Sequence, residues 1–183
     1  MEGWKVTLSA MLKIAIVGPE SSGKTTLCKA LAMHYQAPWV PEFAREYLGE
    51  RGGAYTHSDL LRIAEGQCAQ EERAAGSKPS LLLCDTDIVT IRIWNDEKYS
   101  AYDRRTIDLS ERHHYDHWLL CRPDLPWEPD PLRENPHDRD RLFAVYEDLL
   151  KRLAKPFSII AGDAEQRMRT ATAVIDALLP PKG

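Results

Sequence analysis

Short apolar runs alternate with longer stretches of helical periodicity along this chain, and that alternation predicts its architecture. Residues 14–17 (I-A-I-V), 80–84 (S-L-L-L-C), 116–121 (D-H-W-L-L-C) and 157–161 (F-S-I-I-A) are near-continuous apolar runs of strand length. A fifth, residues 37–41 (A-P-W-V-P), is pinned by two prolines. Runs without polar alternation are what strands covered on both faces require. Helices are predicted over residues 26–35, 42–48, 59–75, 88–94, 102–112, 138–154 and 165–179. Ser58 is the expected N-cap of the third of these, and Gly76 its stop. Leu142, Val145, Tyr146, Leu149 and Leu150 give the helix over 138–154 one apolar face. The pattern of 88–94 breaks over 95–100. Strands each followed by a helix point to an α/β fold, a parallel sheet of about five strands with helices on both faces. Ligands in such folds bind beyond the carboxyl ends of the strands.

Composition narrows what the fold could do. At 183 residues the chain has room for one full-sized domain, expected over 11–183 after a loose extension of residues 1–10; Met11 is an alternative start. A formal net charge of -4 with 28% charged residues leaves no basic face, so neither nucleic acid nor a membrane surface is an expected partner, and a small molecule is. No stretch approaches the ~18 apolar residues of a membrane span. The amino end lacks the apolar core and cleavage site of a secretory signal. Cys28, Cys68, Cys84 and Cys121 are widely spaced, form no C-x-x-C and fall mostly in apolar runs, as reduced core residues of a cytoplasmic protein would. His113, His114 and His117 straddle a predicted helix end and strand start, so solvated or capping roles are expected of them rather than metal ligation.

The chemistry starts at residues 13–29, K-I-A-I-V-G-P-E-S-S-G-K-T-T-L-C-K, which hold a complete G-x-x-x-x-G-K-[ST] phosphate-binding loop. Gly18, Gly23, Lys24 and Thr25 fill its fixed positions, with a strand pattern before and a helix pattern after. The glycines let backbone N–H groups wrap a phosphate, and the helix begins with its positive dipole end toward that anion. Glu20, Ser21, Ser22 and Thr26 are counted among the expected nucleotide contacts. Lys24 is predicted to reach the β- and γ-phosphates and the Thr25 hydroxyl to ligate Mg²⁺. Asp85 follows four apolar residues, where a carboxylate would hold the metal or its water shell; capping the next helix is the alternative, and it suits Asp87 as well.

Phosphoryl transfer to a hydroxyl needs a carboxylate to accept the proton and cations over the γ-phosphate. Glu42 and Asp87, each just past a predicted strand, are the two candidates for the base. Arg45 would share a helix face with Glu42, and could pair with it, touch a substrate, or form an ordinary surface ion pair. Residues 122–141 carry Arg122, Arg133, Arg139 and Arg141 among too many prolines for a core element, which predicts a lid over the phosphates. Of Trp94, Tyr99 and Trp127, most are expected to be core, with one ring free to stack on a base.

Six stretches, in order from about Met11 to the C-terminus, carry a resemblance. They are G-P-E-S-S-G-K-T-T-L, P-E-F-A-R-E-Y-L, L-C-D-T-D followed by Thr90 and Trp94, L-L-C-R-P-D-L-P-W, L-R-E-N-P followed by Arg139, and I-I-A-G-D. Together they resemble the ribosylnicotinamide kinase domain of NadR-type proteins. The resemblance implies a P-loop NTPase fold similar to nucleoside and nucleotide monophosphate kinases, with ATP and Mg²⁺ as cofactors. The implied reaction phosphorylates the 5′-hydroxyl of nicotinamide riboside. It further implies Lys24 and Thr25 at phosphates and metal, Glu42 or Asp87 as base or ribose contact, and lid arginines such as Arg133 and Arg139 at the γ-phosphate. Backbone around Gly162 and Asp163 would bracket the adenine, and Trp94 or Tyr99 would face the cationic pyridinium ring. The chain length leaves no room for the adenylyltransferase domain or DNA-binding segment of the fuller NadR arrangement, so neither activity is expected. A kinase for another nucleoside or mononucleotide, and a non-enzymatic ATP-binding sensor, are the competing readings. No N-K-x-D guanine signature is present, which disfavours a GTPase switch.

Overall fold

The computed structural model describes residues 11–99, 103–133 and 136–180. The expected extension over 1–10 and Tyr102, the first residue of one predicted helix, lie outside the described residues. In chain order the elements are β1 (Leu12–Val17), α1 (Lys24–Tyr35), β2 (Trp39–Val40), α2 (Phe43–Gly49), α3 (His57–Ala75), β3 (Leu81–Asp85), α4 (Ile88–Tyr99), α5 (Arg104–Arg112), β4 (His117–Cys121), α6 (Arg139–Arg152), β5 (Phe157–Ile160) and α7 (Ala164–Leu178). The strands pair in the order β2-β3-β1-β4-β5, every neighbour parallel. β1 is central, with Ile16 opposite Asp85 on one side and Leu119 on the other.

Strand alternation divides the core in two. Leu12, Ile14 and Ile16 pack with Leu83 and Leu119 against Leu27, Cys28 and Leu31 of α1 and Ala171 and Ile175 of α7. Ala15 and Val17 face the other way, with Leu82, Trp118 and Leu120, onto Val89 and Ile93 of α4 and Phe143, Tyr146 and Leu150 of α6. The result is the three-layer α/β fold that the uninterrupted apolar strands predict. Each fully buried Ile or Leu in these layers contributes about 1.5–3 kcal/mol of transfer free energy. A third cluster joins α2, α3 and α4 through Leu48, Leu60, Ile63, Ile88 and Ile91. All four cysteines are buried and unbridged.

Two local expectations fail, each for a visible reason. α4 continues through residues 95–99 because Asn95, polar in the sequence, is buried and keeps the inward face in phase. α3 starts two residues earlier than Ser58 suggests: the cap is Thr56, whose N–H and hydroxyl both donate to Asp59 Oδ2, at 2.8 and 2.6 Å. This Thr56–Asp59 capping box satisfies the helix start better than a lone serine would.

Candidate active site

β1 ends at Val17 and the chain turns at once into the glycine-rich loop. Gly18 stands at φ 139, and a Cβ there would lie 2.5 Å from Cys121 O, so only glycine fits between the loop and the end of β4. Gly23, at φ 78, turns the chain into α1. Ser22 Oγ and Lys24 Nζ both donate to Pro19 O, each at 2.7 Å, which closes the loop on itself and holds the ammonium at its mouth. The Thr25 hydroxyl donates to Asp85 Oδ2 at 2.6 Å. The other Asp85 oxygen, Oδ1, is buried with no hydrogen-bond partner, and burial raises the carboxyl's pKa against the pull of Thr25 and Lys24. An orphaned acceptor beside a hydroxyl fits a hard cation or its water shell. Among the described residues no cluster of three His, Cys, Asp or Glu side chains gathers as a metal site. Mg²⁺ bound largely through phosphates and water needs only one or two protein ligands.

Above these strand ends opens a cleft of about 830 Å³. The phosphate loop with Lys24, Thr25 and Thr26 forms one wall; Glu42, Arg45, Tyr55, Thr90 and Trp94 line the other, with Arg133 and Arg141 from the lid segment. Glu42 is the N-cap residue of α2, yet its side chain makes no capping hydrogen bond. Burial raises its pKa, Lys24 and Arg45 oppose the rise, and Asp85 and Glu20 add to it.

Asp87, the other candidate base, is not in the cleft. It is fully buried, accepting from Trp118 Nε1 at 2.7 Å and from Thr90 N and Oγ1 at 2.9 and 3.0 Å. Thr86, in the left-handed region at φ 81, turns the chain so that Asp85 reaches Thr25 while Asp87 reaches Trp118 in the opposite layer. The capping alternative therefore describes Asp87.

The lid segment is fastened to the loop through Ser21. Glu128 N donates to Ser21 Oγ at 2.9 Å, Arg133 reaches the same oxygen at 3.3 Å, and Arg139 donates to Ser21 O at 3.3 Å and Leu125 O at 3.0 Å. Both guanidinium groups lie near the Trp127 ring, at 5.9 and 5.7 Å. Arg141 is held by Glu97 and Asp138. Arg122 instead covers Phe143 at 4.7 Å and does not line the cleft. Arg45 pairs with Asp130 of the lid at 2.8 Å rather than with Glu42, tying α2 across the cleft.

Tyr99 also lies outside the cleft lining; its hydroxyl donates to Tyr55 O at 3.1 Å and its ring packs on Tyr55 and His57. Trp94 and Tyr55 line the cleft, as does Tyr146 of α6. Gly162 and Asp163 do not line the cleft either. Asp163 caps α7, and the wall there is Ala164, Arg167 and Met168.

A family model described as AAA domain matches residues 13–167. The chain belongs to that family. Within it, this AAA-domain chain is 30% identical over 151 residues to the trifunctional NAD biosynthesis/regulator protein NadR of Salmonella typhimurium, covering 80% of this chain and 36% of that one. The Escherichia coli NadR is 31% identical over 133 residues, 70% of this chain and 32% of that one. The AAA-domain chain thus spans about a third of the length of these relatives. A crystal structure of NadR protein in complex with NR superposes with a TM-score of 0.78 at 20% identity, covering 94% of this chain and 52% of that one. A deoxyadenosine kinase from M. mycoides with bound products gives 0.66 at 14% identity, over 91% of this chain and 100% of that one. The shared fold is a P-loop kinase fold.

One residue that builds the site belongs to no motif in the sequence. Arg167, 3% exposed, donates to Ser22 O at 2.8 Å, Gly162 O at 2.7 Å and Arg122 O at 2.9 Å, and pairs with Asp124. One guanidinium thus ties the phosphate loop to the ends of β4 and β5. Its only trace in the chain is an arginine on the inward face of the helix predicted over 165–179, three residues before Thr170.

Proposed function

We propose that this chain is an ATP-dependent kinase that phosphorylates the 5′-hydroxyl of nicotinamide riboside, yielding nicotinamide mononucleotide. The observation that carries the reading is that Glu42, Lys24 and Thr25 line one cleft. The two NadR relatives, and the NadR fold neighbours solved in complex with NR and with NAD and AMP-PNP, support the choice of substrates.

In this mechanism the loop amides and Lys24 hold the β- and γ-phosphates. Thr25 and Asp85 would hold Mg²⁺, which supplies charge neutralisation on those phosphates. Glu42 orients the 5′-hydroxyl and takes its proton as the oxygen bonds to the γ-phosphorus and the bond to ADP breaks. Arg133 and Arg139, already at Ser21, supply cationic donors beside the loop and exclude water as the lid closes. The cationic pyridinium ring sits against Trp94 and Tyr55, with Glu97 on the same wall. Buried, unbridged cysteines support a reducing, cytoplasmic setting. Among the described residues no helix is long and apolar enough to cross a membrane.

The test is incubation of the purified chain with Mg-ATP and a panel of ribosides and deoxyribosides, with mass detection of new mononucleotides. Nicotinamide riboside should be converted with the highest kcat/KM. Preferential conversion of a deoxynucleoside would reassign the acceptor, and ATP binding without any phosphorylated product would replace the kinase by a sensor.

A further inference from the structure

We infer that Gln67, together with Gly66, is a positioning residue for Glu42; the inference rests on the kinase reading above. A carboxylate at a helix N-cap ordinarily turns back to accept from the second or third amide of the helix. Glu42 does not, and lines the cleft instead. The first amide of α2, which a capping side chain does not serve, is held from α3: Phe43 N donates to Gln67 Oε1 at 2.9 Å.

Gln67 is 1% exposed, and its amide cannot be turned round. Its Nε2 donates at 2.9 Å to Glu71 Oε1. That carboxylate is itself gripped by Lys13 Nζ at 2.7 Å and by the Tyr115 hydroxyl at 2.9 Å. Burial pushes the Glu71 pKa up, but His113, Lys13 and Gln67 together hold it below the usual range, so it remains an acceptor. The nitrogen of Gln67 must therefore face Glu71 and the oxygen must face Phe43.

The neighbouring residue makes a second, independent grip. Gly66 lies inside α3, where glycine is disfavoured relative to alanine. A Cβ there would overlap the Phe43 ring. Bare backbone at 66 and a fixed amide at 67 thus seat Phe43 by ring and by main chain. Glu42 is the residue before it, so the seat sets where that carboxylate stands.

Gln67→Met and Gly66→Ala test the seat, with Ile175→Val as a control that loosens the fold in the other core cluster, which does not include Phe43. A displacement on the order of 1 Å at a reacting group can cost about 10²-fold in rate. Both seat variants should lower kcat at least about tenfold beyond the control, with KM for ATP within about threefold of the parent. Loss of activity only in step with melting temperature, or a matching rise in KM for ATP, overturns the inference. If one variant does not fold, the other decides. A parent chain inactive on every riboside would sink the kinase reading but not the seat, which has a readout without turnover. Carbon-13 carboxyl resonances, with Glu42 assigned through Glu42→Gln, should show its titration against Lys24, Arg45, Asp85 and Glu20 altered in both seat variants and unchanged in the control. An unmoved Glu42 resonance overturns the seat.

Discussion

The two walls of the cleft are built by different means. The phosphate-loop wall is main chain: its shape comes from glycine dihedrals, from carbonyls that accept Ser22, Lys24 and Arg167, and from the start of α1. The opposite wall is side chain, with Glu42, Tyr55, Thr90 and Trp94 drawn from α2, the loop after it and α4. A wall of main chain can bind one kind of group, a polyphosphate, whatever else the protein does. A wall of side chains can be changed residue by residue, and in the proposed kinase it is the wall that would choose the acceptor.

If that division is right, damage to the two walls should separate in the kinetics. Glu42→Gln removes the proposed base and should lower kcat by about 10³-fold, within the range for general base catalysis. Binding of an ATP analogue, measured by calorimetry, should be unchanged. Lys24→Met acts on the other wall and should lower kcat by roughly 10²–10³-fold while also weakening ATP binding. Equal loss of nucleotide affinity in both variants would erase the distinction between the walls.

The pH profile sharpens the same contrast. Glu42 must be ionised to accept a proton, and burial raises its pKa above the ordinary 4.5 despite Lys24. The acid limb of kcat/KM should therefore fall as pH drops through a value above 4.5, and it should be missing from the residual rate of Glu42→Gln. The stability term runs the opposite way. A carboxyl with a raised folded-state pKa binds its proton more tightly when folded, so it destabilises the fold as pH rises through that pKa. Activity gained with rising pH is thus accompanied by slightly lower stability.

Trp94→Ala should raise KM for nicotinamide riboside about tenfold, the scale of a partly desolvated cation–π contact, and leave KM for ATP unchanged. An unmoved riboside KM would shift the ring to Tyr55.

How much of each wall could be read in the chain follows from how it is built. Gly18, Gly23, Lys24 and Thr25 must sit at fixed spacing because one loop makes all the contacts, so the motif is legible. The fold was legible too, since strands buried on both faces have no polar positions to confuse the pattern. The other wall has no such spacing. Asp85, Thr86 and Asp87 are consecutive, and only the positive φ at Thr86 decides that one carboxylate meets Thr25 and the other the core. The sequence points to Tyr99 and not to Tyr55, yet Tyr99 donates to the Tyr55 carbonyl from behind while Tyr55 lines the cleft.

Asp87→Asn gives the smallest effect on rate and the clearest test of the division between cleft and core carboxylates. Both Asp87 oxygens accept hydrogen bonds from donors, Trp118 Nε1 on one and Thr90 N and Oγ1 on the other. An asparagine must point its NH₂ at one of them, leaving a buried donor facing a donor. The expected cost is about 1–3 kcal/mol of stability, read from chemical denaturation, because an unsatisfied buried group forfeits its desolvation energy. Removing the charge offsets part of this, since burial already raises the Asp87 pKa and disfavours the ionised form. Turnover by the folded protein should stay within about threefold of the parent, because a residue outside the cleft touches neither substrate. A loss of rate as large as that of Glu42→Gln, with stability intact, would move the base from the end of β2 to the end of β3 and place catalysis with a carboxylate that the core hydrogen bonds must first release.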